Sequence, residues 1–251
     1  NVSGCSITGP FLGYIQMINI SVSSGSTSNN HPFRLLLSSA NVGAGFVWSS
    51  NCSDLRFYND SARNVSLPYY VELCNGTAQT ATIWVKSGAN ITTSAYPVYM
   101  RYGGNETSAS DGASVFDFFD GFDGSSINTT KWNIIDATGW AVSGGELSGN
   151  NTYGRLSSKV AFSYPNVLEV KYRYNTLPSN GFAPASFFVP ASNGFGYLNH
   201  PGTDYYYNAG SYPGMGASAP NATNILVRIT PRTSSAVDLN VSNYSNGASY
   251  Q

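Results

Sequence analysis

Apolar and polar residues alternate with a period of two along most of this chain, which predicts strands rather than helices. Ile18, Ile20 and Val22 fall on one face, with Asn19 and Ser21 between them. Residues 82–86 and 97–102 repeat the pattern. Leu168, Val170, Tyr172 and Tyr174 form the cleanest stripe, opposed by Glu169, Lys171 and Arg173. Residues 225–230 and 237–242 follow the same rule. Clusters of Gly, Ser, Asn and Pro separate these runs, as turns require. Residues 108–118 are the best short helix candidate. Strands with one solvated face predict antiparallel sheets packed as sandwiches. The expected fold is all-β, with two antiparallel β-sandwich domains and a seam near residues 103–113. The segments are then an extension over 1–10, a first domain over 11–112 and a second over 113–251.

Composition sharpens this picture. Of 251 residues only 10% are charged, the net charge is −1, and 18 Tyr and 13 Phe raise the aromatic share to 14%. No basic field exists to hold nucleic acid or an anionic membrane. No apolar run is long enough to span a bilayer, and no signal peptide is visible. The chain starts at Asn1 rather than Met, which predicts a processed or trimmed product. A surface so poor in charge is prone to self-association unless something else hydrates it.

Two remedies exist: sugars hydrate the surface, or self-association is its purpose. Thirteen asparagines stand in Asn-x-Ser/Thr sequons: Asn1, Asn19, Asn51, Asn59, Asn64, Asn75, Asn90, Asn105, Asn128, Asn150, Asn221, Asn240 and Asn243. Random placement in this composition would give about five or six. Before residue 110, eight of eleven asparagines lie in sequons. An N-glycan is bulky and forces its acceptor to face solvent outside the cytoplasm. Asn19 and Asn240 both fall on predicted polar faces, and a one-residue slip would bury them. The expectation is an extracellular, cell-surface or filament protein carrying covalent N-glycans.

The three cysteines fit that compartment. Folding residues 55–58 against residues 69–73 as a hairpin, with Tyr58 opposite Pro68, brings Cys52 opposite Cys74 and within disulfide reach. Cys5 is left over. It is either a free thiol in the terminal segment or an intersubunit thiol linking two chains.

Several short motifs resemble a prokaryotic domain family of unknown function found in secreted and surface proteins. They are Asp54-Leu-Arg-Phe-Tyr, Leu67-Pro-Tyr-Tyr-Val-Glu, Ala81-Thr-Ile-Trp-Val-Lys and Val98-Tyr-Met-Arg-Tyr-Gly, within residues 11–115. Members often precede a concanavalin A-like, LamG-type jelly roll. Phe118-Phe-Asp-Gly-Phe-Asp-Gly, Asn128-Thr-Thr-Lys-Trp, Tyr153-Gly-Arg-Leu-Ser-Ser-Lys, Asn193-Gly-Phe-Gly-Tyr-Leu-Asn-His and Ile225-Leu-Val-Arg-Ile resemble that partner. Dense sequons with a Cys52–Cys74 type pair resemble archaeal members. Such jelly rolls usually continue past the equivalent of Tyr250-Gln251. The resemblance therefore implies a chain either missing its end or left short. A shortened sandwich can be completed by a strand from a neighbour. Residues 1–10 are the candidate donor, and a head-to-tail contact that does not close builds a filament. The expected partner is a second copy of the chain, as a helical homopolymer.

Catalytic signals are sparse. His31 and His200 are each followed by proline, and no nucleophile elbow is present. The four glutamates, Glu72, Glu106, Glu146 and Glu169, do not cluster as a glycosidase pair would. Enzyme function is not expected. Asp117, Asp120 and Asp123 form the one metal-like run, a calcium candidate set against simple turn formation. No other cofactor is expected. Tyr205, Tyr206, Tyr207 and Tyr212, with Phe195 and Tyr197, are candidate sugar-stacking residues, and Asn199, Asp204 and Asn208 are polar groups that could orient a sugar. The expected function is a structural subunit of an extracellular glycosylated filament, pilus or surface layer. The alternative is a carbohydrate-binding adhesion module.

Overall fold

The computed structural model describes residues 14–48, 51–104, 107–135, 140–149, 155–162, 166–172, 182–187, 195–199, 204–208, 214–215, 225–231, 237–243 and 249–250. It divides into two compact units, Asn1–Gly121 and Phe122–Gln251. The described residues are almost all in antiparallel strands and turns. The fold is an all-β sandwich fold, as the two-residue period predicts.

The first unit holds β1 (Tyr14–Ile20), β2 (Pro32–Ser38), β3 (Arg56–Tyr58), β4 (Ser66–Leu67), β5 (Tyr69–Asn75), β6 (Thr80–Lys86), β7 (Tyr96–Tyr102) and α1 (Gly112–Val115). Its two sheets have strand orders β1-β7-β3-β4 and β2-β6-β5. Ile18, Phe57, Leu67, Val98, Met100 and Tyr102 from the first sheet meet Leu35, Leu37, Tyr69, Ala81, Ile83 and Val85 from the second in one buried core. The alternation of β7 is followed residue for residue, with Val98, Met100 and Tyr102 fully buried and Tyr99 and Arg101 facing the other way. β1 keeps the predicted register too, but brings Gln16 inward beside Ile18. The Gln16 Nε2 donates to the Asn41 carbonyl at 2.8 Å.

The predicted hairpin between residues 55–58 and 69–73 does not form. β3 pairs instead with β4, Tyr58 opposite Ser66 and Phe57 opposite Leu67, while β5 joins β6 in the other sheet. The chain changes sheets at Pro68, which has no N–H to continue a ladder. Leu67 and Tyr69 on either side of it are both buried. Cys52 and Cys74 are nevertheless bonded, with Cα atoms 6.1 Å apart. The disulfide is therefore a tie between the turn before β3 and a strand of the opposite sheet, not a cross-strand bridge in one hairpin.

The helix expected over residues 108–118 shrinks to the four residues of α1. Asp111 caps it by accepting from the Ala113 N–H, and Phe116 already has extended backbone. Phe116 and Phe119 then pack edge-on against Trp84 and Tyr70 of the β2-β6-β5 sheet. Part of the outer face of that sheet is thus covered.

The second unit holds β8 (Trp132–Ile135), β9 (Trp140–Ser143), β10 (Glu146–Gly149), β11 (Arg155–Ser158), β12 (Leu168–Tyr172), β13 (Phe182–Phe187), β14 (Phe195–Asn199), β15 (Asp204–Asn208), β16 (Gly214–Met215), β17 (Ile225–Pro231), β18 (Val237–Asn243) and β19 (Ser249–Tyr250). Its larger sheets run β12-β17-β18-β19 and β13-β14-β15-β16, with smaller pairs β9-β10 and β8-β11. In the first of these, Ile225, Val227 and Ile229 are wholly buried and stand opposite Tyr172, Val170 and Leu168. On the other face Glu169 and Arg228 stand opposite each other and form an ion pair at 3.3 Å. One packed face and one solvated face is the arrangement that layered antiparallel sheets require.

Candidate functional site: the sequon-bearing surface

Eight sequon asparagines have described side chains, and none is buried. Asn51, Asn64, Asn75, Asn90 and Asn128 are exposed, and Asn19, Asn59 and Asn240 are half-buried. Local chemistry places them. Asn19 lies on the outer face of β1, opposite Pro97. Asn240 stands opposite Arg228, on the face away from the buried Val227 and Ile229. Asn75 ends β5, where its Oδ1 accepts from the Ala78 N–H at 2.9 Å. Asn128 Oδ1 accepts from both the N–H and the hydroxyl of Thr130, its own sequon threonine. Each of these last two pairings uses the oxygen rather than Nδ2, the atom to which an N-glycan would be linked.

Asn59 and Asn64 share the loop between β3 and β4. Asp60 organises it, its carboxylate accepting from the Asn64 and Val65 N–H groups at 3.0–3.2 Å. A desolvation push upward on Asp60 is outweighed by backbone N–H groups of Val65, Asn64, Ala62 and Arg63, and its pKa ends lowered.

The turn at Asn51 and Cys52 has both residues in the left-handed region, φ 52° and 58°. The disulfide ties this turn to Cys74, so the sequons at Asn51 and Asn75 flank the bonded pair. Beside them lies an open hollow of about 720 Å³, walled by Phe46, Val47 and Trp48 on one side and by Gly76, Thr77 and Gln79 on the other. Trp48 packs on Phe46 at 4.5 Å between ring centroids, Phe46 on Tyr102 at 5.2 Å, and Tyr102 on Tyr14 at 5.6 Å. Sequence reasoning missed this site. Its signal was an aromatic pair, Phe46 and Trp48, just ahead of a sequon.

Two further clusters were not foreseen. Arg56 donates to the carbonyls of Ser53, Leu55 and Thr107 and to the Tyr69 hydroxyl, joining three segments of the chain. Burial pushes the Tyr69 pKa up, against the pull of the Ala109 N–H and of Arg56. On the outer face of the β2-β6-β5 sheet, Leu36 and Leu73 flank Thr82 in register and are 61% and 45% exposed. The β5 edge of that sheet is covered over Tyr69 and Val71. Ser110 Oγ accepts from the Val71 N–H, Asp111 N–H donates to the Tyr69 carbonyl, and Glu72 forms a bulge and takes the Trp84 indole N–H. The β2 edge is closed only at its end, where Asn41 bonds Ser38 and Leu36. Around Arg34 that edge has no backbone partner among the described residues.

The other sequence candidates stand as follows. Asn1, Cys5, Asn105, Glu106, Asn150, His200, Tyr212 and Asn221 lie outside the described residues, as does the side chain of Asn243. Tyr205, Tyr206 and Tyr207 are described in backbone only, within β15, where Tyr206 is in register with Tyr197 and Tyr205 with Leu198. Strand alternation therefore puts Tyr206 at the opposite parity to Tyr205 and Tyr207. Asp117 and Asp120 end the first unit and Asp123 begins the second. Among the described residues no three His, Cys, Asp or Glu side chains come together to hold a metal. His31 is exposed and contributes only backbone bonds to Ser87. Glu146 is exposed on β10. No described helix is long and apolar enough to cross a membrane.

Residues 51–135 match the model of a family described as a domain of unknown function, DUF2341. The match runs from the Asn51 turn to the end of β8. It contains all four motifs on which the resemblance rested, and in the structure they pair with one another. Asp54-Leu-Arg-Phe-Tyr pairs with Val98-Tyr-Met-Arg-Tyr-Gly through β3 and β7, locked by the Gly103 N–H donating to Asp54. The other two motifs pair as β5 and β6. No curated protein and no solved structure matches the chain.

Proposed function

We propose that this chain is a structural subunit of an extracellular, N-glycosylated filament, pilus or surface layer, assembling head-to-tail through β-strand contacts. The observation that carries the reading is the sequon set itself. It is about twice as large as composition predicts, and every described member avoids burial. Asparagine is a surface residue in general, so the weight falls on the excess more than on the exposure. The Cys52–Cys74 bond supports an oxidising exterior. The exposed Leu36 and Leu73, and the outer edge of β2 around Arg34 that has no backbone partner among the described residues, support assembly, since an extended segment of a neighbour adds naturally to such an edge. Residues 1–10 remain the candidate donor, and Cys5 within them is a candidate intersubunit thiol. The second unit is read as a concanavalin A-like jelly roll, the whole as an archaeal-type surface protein without catalysis.

The reading is tested on native extracellular material. Glycopeptide mass spectrometry should find sugar on several of the thirteen asparagines. Electron microscopy should find fibres that disappear when residues 1–10 are deleted.

A carbohydrate-binding adhesion module is the second reading, favoured by the cross-strand register of Tyr197 and Tyr206. It predicts a glycan-array signal that is lost in Tyr206→Ala.

A further inference from the structure

From the juxtaposition of the Asn51 turn with the Phe46–Trp48 hollow, we infer that this hollow is the seat of the carbohydrate borne on Asn51, held intramolecularly against the Trp48 ring. The inference rests on the proposed glycosylation and gives one glycan a fixed position and a structural role.

Asn51 itself lines the hollow, three residues after Trp48. The left-handed backbone at Asn51 and Cys52 reverses the chain there. A sugar linked to Nδ2 therefore starts at the rim of the hollow rather than pointing away along a strand. The hollow, about 720 Å³, is open to solvent, so a sugar would lie on its wall with its other face in water. Its chemistry suits a sugar. The ring of Trp48 and the exposed Val47 offer an apolar wall for pyranose C–H groups, and Thr77 and Gln79 offer hydroxyl and amide partners for its hydroxyls. The wall is rigid. Trp48 leans on Phe46, which leans on Tyr102 in the core, so little freedom is lost when a sugar settles on it.

The disulfide completes the frame. Cys52 and Cys74 hold the Asn51 turn and the Gly76–Gln79 wall together, with 6.1 Å between their Cα atoms. Without a sugar, Val47 is left 43% exposed beside a half-buried tryptophan.

The test uses the full glycosylated chain. Glycopeptide mass spectrometry first reads occupancy at Asn51 and Asn75. Nuclear Overhauser contacts are then sought between the Trp48 indole and sugar protons, with Asn51→Gln and Asn75→Gln assigning their source. The expected result is occupancy at Asn51 and contacts that vanish in Asn51→Gln and persist in Asn75→Gln. Melting provides a second readout. Ser53→Ala, which removes the sequon but keeps the left-handed Asn51, should lower the melting temperature by about 3 °C in the Trp48 background and leave it unchanged in Trp48→Ala. If Trp48→Ala does not fold, Gln79→Ala takes its place, with a smaller loss of coupling expected. An occupied Asn51 whose sugar makes no contact with Trp48 overturns the inference and leaves the glycosylation reading standing. Contacts that arise from the Asn75 sugar also overturn it. A bare Asn51 overturns it too, and bare asparagines throughout overturn the reading beneath it.

Discussion

Asp54 shows how much of the first unit depends on single side chains. It is buried, and it accepts from the N–H of Gly103, which sits at φ 79° just past β7. Asp54→Ala would strip a partner from a backbone N–H in a tight turn, at a cost of about 2 kcal/mol, measurable by urea denaturation. Gly45 is constrained differently. A Cβ there would stand 1.9 Å from the Tyr14 ring. Gly45→Ala should destabilise by about 1–3 kcal/mol and disturb the aromatic stack that ends at Trp48. Asp60 gives a pH dependence. Its pKa is lowered in the folded protein, so its contribution is fully present above the unfolded carboxylate value, about 3.9. That contribution is lost as pH falls through the lower folded value. Amide exchange at Asn64 and Val65 should therefore accelerate, beyond the intrinsic rate, only in strongly acidic buffer.

Strands were the legible elements, because a period of two is written directly into the apolar positions. Leu168, Val170, Ile225, Val227 and Ile229 could all be assigned a face before any coordinates, and the Glu169–Arg228 pair falls on the face left to solvent. Pairing was less legible. The Cys52–Cys74 bond was correctly expected from a hairpin that does not exist, since both cysteines flank a crossing between sheets that only Pro68 hints at. The Glu72 bulge, the inward Gln16 and the collapse of the helix candidate to α1 have no periodic signature. Each is fixed by a tertiary partner: Trp84 for Glu72, Asn41 for Gln16 and the Phe116–Phe119 packing for α1. Because the disulfide ties the turn before β3 to β5 of the other sheet across 22 residues, replacing both cysteines by serine should cost about 3 kcal/mol, read as a lower denaturation midpoint. Asp111→Ala should cost about 1 kcal/mol through the lost cap.

At the scale of the molecule, a net charge of −1 and 10% charged residues leave little electrostatic protection against association. The proposed glycans cover that surface selectively. Asn75 closes the outward row that follows Leu73 on β5, and the β2 edge near Arg34 carries no sequon. Enzymatic removal of N-glycans should therefore convert ordered assembly into lateral aggregation, detected by light scattering at unchanged protein concentration. The most direct test of the filament account is cryo-electron microscopy of the native extracellular material. The account predicts a helical fibre in which an extended segment of one subunit completes a sheet of the next, with sugar density on exposed asparagines including Asn51, Asn64, Asn75 and Asn90. Dispersed single subunits with bare asparagines and every sheet closed by its own chain would contradict it.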